Sequence, residues 1–458
     1  MTDPKPLIVN LFEMNTPGHI THGMWRQPGN NRERYKDISY WTELAYIAEA
    51  GGFDAIFLAD VIGAYDVYRE SIEPALIEGL QIPNNDPLIV IPAMAAVTEN
   101  VGFGVTFSTS YEPPFAFARR MSTLDHITGG RVGWNIVTSY LPNAARNFGL
   151  DDQIPHDERY RIADEFMDVV YKLWEGSWDD DAVIVDRESG VFTDPSKVRA
   201  INHRGPHFAV AGPHLSEPSP QRTPLLFQAS ASAAGTAFAA KHAEVLFTAD
   251  RPPGSLGKNI ATIRDAAVNL GRRPTDTRFI VMASVIVGRT DAEVAEKLER
   301  YRAFTSEEGK FIHMSTPFHP LDHPADITVR EALEREGRLD VIEAAALPLH
   351  LTVGQYAHAL DESWDKRQFF VAGTPDVVAD EIERWLDEVG VDGINLRQYH
   401  TFETARDFAE LVTPELRRRG RIRESYVPGE TLRERVFGEG PRLPDRHYAA
   451  RFRGGANL

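Results

Sequence analysis

The sequence predicts an α/β protein of the (β/α)8 TIM-barrel class with insertions. Three observations predict it: short, nearly all-apolar runs of strand length alternate with segments of helical periodicity, the alternation repeats through eight steps, and polar residues interrupt the apolar runs at or just past their C-terminal ends. Strands covered on both faces read as continuous apolar runs. Repeated strand–helix alternation implies a parallel sheet, and eight steps imply a closed one, with its chemistry at the C-terminal face. A doubly wound open sheet is the alternative architecture.

Taken in order, residues 7–12 read as the first buried strand, followed by the loop EMNTPGHITHGMWRQP. Apolar positions at helical spacing predict a helix over 40–49, with Gly51 and Gly52 as its stop. A second strand over 54–58 runs straight into Asp60. A polar insertion, 61–86, precedes a helix over 87–100, a strand over 103–108 that contains Thr106, and a helix over 115–127.

The fourth strand, 132–137, holds Asn135 and breaks into Thr138, Ser139 and Asn143. An amide buried without partners costs about 1–3 kcal/mol, so Asn135 either ties neighbouring strands together or meets a ligand. A long amphipathic helix over 156–175 follows, then a turn-rich insertion, 176–221. The pattern resumes with strands over 225–228, 244–248 and 279–287 and helices over 233–241, 256–270 and 291–304. A further insertion, 305–367, carries His313, His319, His323, His350 and His358. A helix over 375–389 and a strand over 393–396 complete the barrel, with a helix over 405–419 outside it. The extension 420–458 is expected to pack outside it or across a neighbouring subunit.

Composition narrows the function. A net charge of −18 argues against nucleic acid or an anionic membrane as partner. The chain has no cysteine, which removes disulfides, thiolate metal sites and a thiol nucleophile. No export signal and no apolar run near 18 residues is visible, so a cytoplasmic, soluble protein is expected. There is no phosphate-binding P-loop, no GxGxxG and no GxSxG elbow.

Three strand ends converge on one barrel face through Asp60, Thr106 and the 135–139 stretch, and a mouth lined this way is the default ligand site. Asp60 alone also suits a turn or cap. The run His156-Asp157-Glu158-Arg159-Tyr160 opens a helix, where free backbone N–H groups with His, Arg and Tyr side chains suit a phosphate, unless Asp157 simply caps it. The small, hydroxyl-rich turn from Gln228 to Gly235, with Ser232, would let backbone approach a phosphate. His19 and His22 lack a third ligand at set spacing, so no metal is predicted. The residues by themselves lead to a phosphate-bearing ligand on the barrel's C-terminal face.

The segments GRVGWNIVTS with NFG, HDERYRIADEF, FTDPSKV, GPHLSEPSPQRTP, FQASASAAG and RLPDRHYAARFR resemble the bacterial-luciferase-like flavin monooxygenases, in the nitrilotriacetate and dibenzothiophene-sulfone monooxygenase branch. EMNTPGHITHGMWR, FLADVIGAYDVYR, QIPNNDPL and ARRMSTLDHITGGR are most similar to the long-chain alkane monooxygenase of that branch. The resemblance implies FMN, supplied reduced by a separate NAD(P)H:FMN reductase, and O2 activation through a C4a-hydroperoxyflavin. It further implies terminal hydroxylation of a long-chain alkane or similar small apolar substrate, and a homodimer or homotetramer.

By the same resemblance, Asp60, Thr106, Asn135, Ser139, His156, Tyr160 and Ser232 contact FMN, with His156, Tyr160 and Ser232 nearest the phosphate. His22, with His19, stands beside the reactive edge of the ring as the catalytic proton donor, with a pKa expected near neutrality. Thr16, Tyr65, Gln81 and Tyr140 shape the substrate pocket. Thr16 and Tyr140 depart from the alkane enzyme's pattern, which has Cys and His there. The alternatives are a monooxygenase of an aryl sulfone or aminopolycarboxylate, a cofactor-F420 oxidoreductase, and a non-catalytic flavin-binding barrel.

Overall fold

Eight parallel strands close into a barrel in the computed structural model, which describes residues 5–230, 232–248, 253–344, 347–367 and 369–458. They are β1 (Ile8–Met14), β2 (Ala55–Ala59), β3 (Gly102–Ser108), β4 (Val132–Val137), β5 (Leu225–Ser230), β6 (Val245–Thr248), β7 (Arg278–Val287) and β8 (Gly393–Arg397). Each pairs with the next, and Ile8 opposite Gly393 closes the ring. The open-sheet alternative is thereby excluded.

One strand escaped the sequence pattern. Phe369–Gly373 lies beside the C-terminal half of β7, from Ala283 to Val287, while β6 pairs with its N-terminal half. β7 can serve two neighbours in succession because it is ten residues long. The helix expected over 87–100 is also shorter than predicted, a 3-10 turn Pro87–Val90 and then Ile91–Ala95, since Pro87 and Pro92 each remove a backbone donor. The 156–175 segment is helical over His156–Tyr171 and finishes as a π turn.

Aromatic side chains fill the barrel interior. Phe12, Phe57 and Phe227 pack in one cluster with Ile280 and Met282. Gly133 makes room for them, since a Cβ there would lie 2.6 Å from the Phe227 ring. The extension 420–458 closes the opposite, N-terminal end within the same chain. Its Leu432 joins the interior cluster, and Arg433 is buried against Glu244 and the carbonyls of Thr223 and Pro224, just ahead of β5 and β6.

The insertions roof the other end. Residues of 61–86 and 305–367 build a hydrophobic cluster of their own, in which Tyr65, Tyr68 and Leu80 pack with Phe311, Phe318 and Tyr356. The 176–221 insertion forms two small hairpins, Val183–Asp186 with Val191–Thr193 and His203–Arg204 with Ala209–Val210. Among the described residues, no helix is long and apolar enough to cross a membrane.

Candidate active site

Two cavities flank the barrel mouth. The first, about 330 Å³, is lined by Asp60, Ser139, Tyr140, His156, Arg159, Tyr160, Gln228 and Ser232. Strand ends and the loops just past them supply Asp60, Ser139, Tyr140 and Gln228, and two helix starts supply the rest. The helix His156–Tyr171 has Pro155 at its cap position and no side-chain cap, so Asp157 does not cap it and its first-turn N–H groups stay available. Asp157 accepts instead from His156 Nδ1 at 2.8 Å. Ser232 caps the helix Ala233–His242 by accepting from the Gly235 N–H, which leaves its hydroxyl proton to give. Ala231, in the same turn, lies outside the described residues.

Thr106 and Asn135 do not line this cavity. They sit side by side on β3 and β4, where Asn135 Nδ2 donates to Thr106 Oγ1 at 2.9 Å. The amide of Asn135 thus ties two strands, while its Oδ1 is buried with no hydrogen-bond partner among the described residues. Gln228 Oε1 is likewise buried and unmatched. Asp60 accepts from Asn84 Nδ2 at 2.8 Å. Burial, assisted by Asp86, pushes its carboxyl up to about 6 against that hydrogen bond.

The second cavity, about 730 Å³, lies over β7, β8 and the loop after β1. Its walls mix Ile20, Met24, Ile286 and Phe370 with Thr21, His22, Ser284, Arg302, Lys310 and Arg397. The 305–367 insertion contributes Thr305, Glu307 and His358 as well.

A histidine trio stands at its edge. His22 Nε2 and His313 Nδ1 are 3.0 Å apart, so one ring donates to the other. His19 stacks on Phe12 with ring centroids 5.3 Å apart and lies 6.0 Å from His313. The expected near-neutral pKa is not what the surroundings produce. Burial first, then the neighbouring His313 and Arg397, hold His22 well below the usual histidine range, and His19 is lowered in the same way with Arg32 contributing. His313 falls to about 4 through burial and Arg397. The trio is neutral at pH 7.

Tyr65 is buried, its ring edge-on to His313 at 5.5 Å and its hydroxyl bonded to that of the half-exposed Tyr140. Gln81 is buried with positive φ, and Thr16 is buried with its hydroxyl unmatched. Thr16, Tyr65 and Gln81 line neither of the two cavities.

Sequence reading passed over His313, Arg397 and Gln228 as site residues. Arg397 had a usable signal, as the residue just past the predicted end of the last strand. His313 had none, because nothing local distinguishes it from the four other histidines of its insertion. Among the described residues, no three metal-binding side chains are grouped.

Residues 17–393 match the family model of luciferase-like monooxygenases. The chain is 48% identical to the long-chain alkane monooxygenase of Geobacillus thermodenitrificans, over 98% of both chains. It is 43% identical to the dimethyl-sulfide monooxygenase of Hyphomicrobium sulfonivorans, over 98% of this chain and 94% of that one. A crystal structure of long-chain alkane monooxygenase superposes with a TM-score of 0.90 at 47% identity, covering 98% of this chain and all of that one. A structure of riboflavin lyase with modified FMN and riboflavin superposes with a TM-score of 0.87 at 35% identity, covering 98% and 100%.

Proposed function

The chain belongs to the luciferase-like monooxygenases, and from that premise we propose that it hydroxylates a long-chain alkane or similar apolar substrate with reduced FMN and O2. FMN fits the 330 Å³ cavity, which offers an uncapped helix start and Arg159 to a phosphate and the unmatched Gln228 oxygen to polar groups of the flavin. Asp60, Ser139, His156, Tyr160 and Ser232 line it, and Thr106 with Asn135 support it from neighbouring strands. Bound reduced FMN supplies the oxygen-activating chemistry. A separate NAD(P)H:FMN reductase supplies the reduced flavin, consistent with a chain that has no dinucleotide fingerprint of its own. A homodimer or homotetramer in the cytoplasm is part of the same reading.

The chain's own contribution is to exclude water and hold one proton. The two packed insertions roof the mouth, and a dry site suppresses loss of reactive species to solvent. The neutral His22–His313 pair, at 3.0 Å, is the observation that carries the reading. It fixes the orientation of both rings, and we assign to His22, with His19 behind it, the relay of a proton, in which one ring nitrogen takes up a proton as the other gives one toward the reacting centre. The apolar wall of Ile20, Met24, Ile286 and Phe370 suits an alkane. We assign Tyr140, which lines the flavin cavity, and the buried Thr16, Tyr65 and Gln81, which stand behind the cavity walls, to shaping the space for the substrate. A second reading, a substrate that carries an anionic group such as an aminopolycarboxylate, is favoured by Arg302, Lys310 and Arg397 in the same lining.

The test is oxygen uptake with enzymatically reduced FMN, with products identified by mass spectrometry across long-chain alkanes, an aryl sulfone and an aminopolycarboxylate. A primary alcohol from the alkane is expected. Product from the chelate alone would establish the second reading, and hydrogen peroxide with no product from any of them would end the substrate assignment.

A further inference from the structure

Glu13 is the last residue but one of β1, at the mouth end of the barrel, and it is buried. A carboxylate in that place loses its water, which is tolerable only where hydrogen-bond donors replace it. Four donors converge on it. Its Oε1 accepts from the Met14 N–H at 2.8 Å and from the Arg32 guanidinium, and its Oε2 accepts from the Tyr40 hydroxyl at 2.9 Å and from Gln398 Nε2 at 2.7 Å.

The origin of these donors is specific. Met14 is where the loop 15–31 leaves β1, and Arg32 opens the 3-10 turn in which that loop ends. Both ends of the loop that carries His19 and His22 therefore meet on one carboxylate. Tyr40 lies in the first turn of the helix Ile38–Ala50, and Gln398 directly follows Arg397, the last residue of β8 and part of the second cavity's lining. The cluster also reaches the histidines. Arg32, Gln398 and His19 border one small cavity of about 10 Å³, and His19 stacks on Phe12, the neighbour of Glu13.

Stability alone does not account for this arrangement. The attraction within a buried ion pair roughly cancels the cost of taking both charges out of water, so apolar side chains of similar size would hold the strand end as well or better. Apolar contacts do not, however, fix one direction of approach, and a carboxylate with two donors on each oxygen does.

We propose that Glu13, together with Arg32, is a positioning residue for the proton relay, fixing the loop 15–31 so that His22 meets His313 with His19 behind it. The proposal rests on the role given to His22 in the monooxygenase reading above.

The experiment compares wild type with Glu13→Gln, Arg32→Lys and the double variant Glu13→Gln, Arg32→Met. Three quantities are read: the urea midpoint, the rate at which diethyl pyrocarbonate modifies His22 in the flavin-free protein, mapped by peptide mass spectrometry, and the ratio of hydrogen peroxide to product with reduced FMN. Glu13→Gln leaves Arg32 unmatched and should unfold at lower urea, whereas the double variant buries no unmatched charge and should return close to the wild-type midpoint. In that stable double variant His22 should nevertheless be modified roughly 10-fold faster. Turnover to product should fall roughly 10-fold or more with a rise in peroxide, as suits a displaced reacting group, and the FMN affinity should stay within about twofold. Arg32→Lys keeps the charge and shortens the reach, so intermediate values are expected there, and it decides the matter should the double variant not fold. Wild-type protection of His22 together with wild-type coupling in these variants overturns the proposal, since the pair would then be structural only. Faster modification with unchanged coupling overturns it as well. A wild type that forms no product from any substrate ends the substrate reading instead, and the protection of His22 still decides whether Glu13 fixes the loop.

Discussion

Burial moves Asp60 and the mouth histidines in opposite directions because in both cases the charged form is the one that loses water. For the histidines the folded pKa lies below the unfolded one. Their contribution to stability is present above the ordinary histidine pKa and is lost as pH falls toward the folded values, about 4 for His313. For Asp60 the folded pKa, about 6, lies above the usual 3.8. The folded state holds the extra proton between those values, so this contribution is present below 3.8 and is lost as pH rises through 6. Asp60→Asn should accordingly be more stable than wild type at pH 7 by about 2–3 kcal/mol, with the gap closing toward pH 4. Urea denaturation at a series of pH values checks this, and a gap independent of pH would show that Asp60 does not titrate in that window. The residue type and place of Asp60 were legible in the sequence as a polar group directly after a strand. Its shifted titration was not, because that depends first on burial under the folded mouth, with Asp86 adding to the rise and Asn84 opposing it, both from the 61–86 insertion.

At the scale of elements, the short helix Glu307–His313 carries His313 to His22 across 291 residues of sequence. The approach needs Gly309, where a Cβ would lie 2.8 Å from the His22 Cβ. Gly309→Ala should push the two elements apart and open the His22–His313 hydrogen bond. We expect turnover to product to fall roughly 10-fold or more, approaching the roughly 100-fold lower edge of what positioned proton transfer contributes, with more hydrogen peroxide per oxygen consumed and an FMN affinity within about twofold. The peroxide-to-product ratio is the measurement, and unchanged coupling would remove the pair from the reaction. Barrel strands were readable because each is a local apolar run, and β4 begins and ends where its sequence indicates. Phe369–Gly373 escaped because its five residues end a long insertion and pair with the C-terminal half of β7 as a ninth strand, outside the eight-step count.

For the whole molecule, the closing segment is the 420–458 extension. Arg433 is buried with Glu244, and both partners belong to the floor of the barrel, opposite the cavities. Removing one member of a buried ion pair leaves the other charge unmatched, at a cost of about 3–5 kcal/mol. Arg433→Ala should lower the unfolding free energy by that amount in chemical denaturation, with FMN affinity of the folded fraction unchanged. A loss under 1 kcal/mol would mean that the extension is not integral to the barrel. The sequence placed this segment outside the barrel or on a neighbouring subunit, since its polar, arginine-rich composition resembles a surface tail. What it lacked was the knowledge that the ends of β5 and β6 leave carbonyls and a carboxylate for those arginines to fill.

By itself the sequence determined the class of fold, the order of the barrel strands, the strand ends at which polar groups gather and the absence of a dinucleotide fingerprint. All of these are local, carried by the period of apolar residues and by the exceptions to it. Only the tertiary structure decided that His22 meets His313, that Arg159 is buried in the wall of the first cavity with its Nε unbonded among the described residues, and that the chain's end seals the floor. Those facts depend on which side chains are brought together when strands far apart in sequence take adjacent places in a closed ring, and on the water that closure removes. Burial sets the direction in which Asp60, His19, His22 and His313 depart from their ordinary titration.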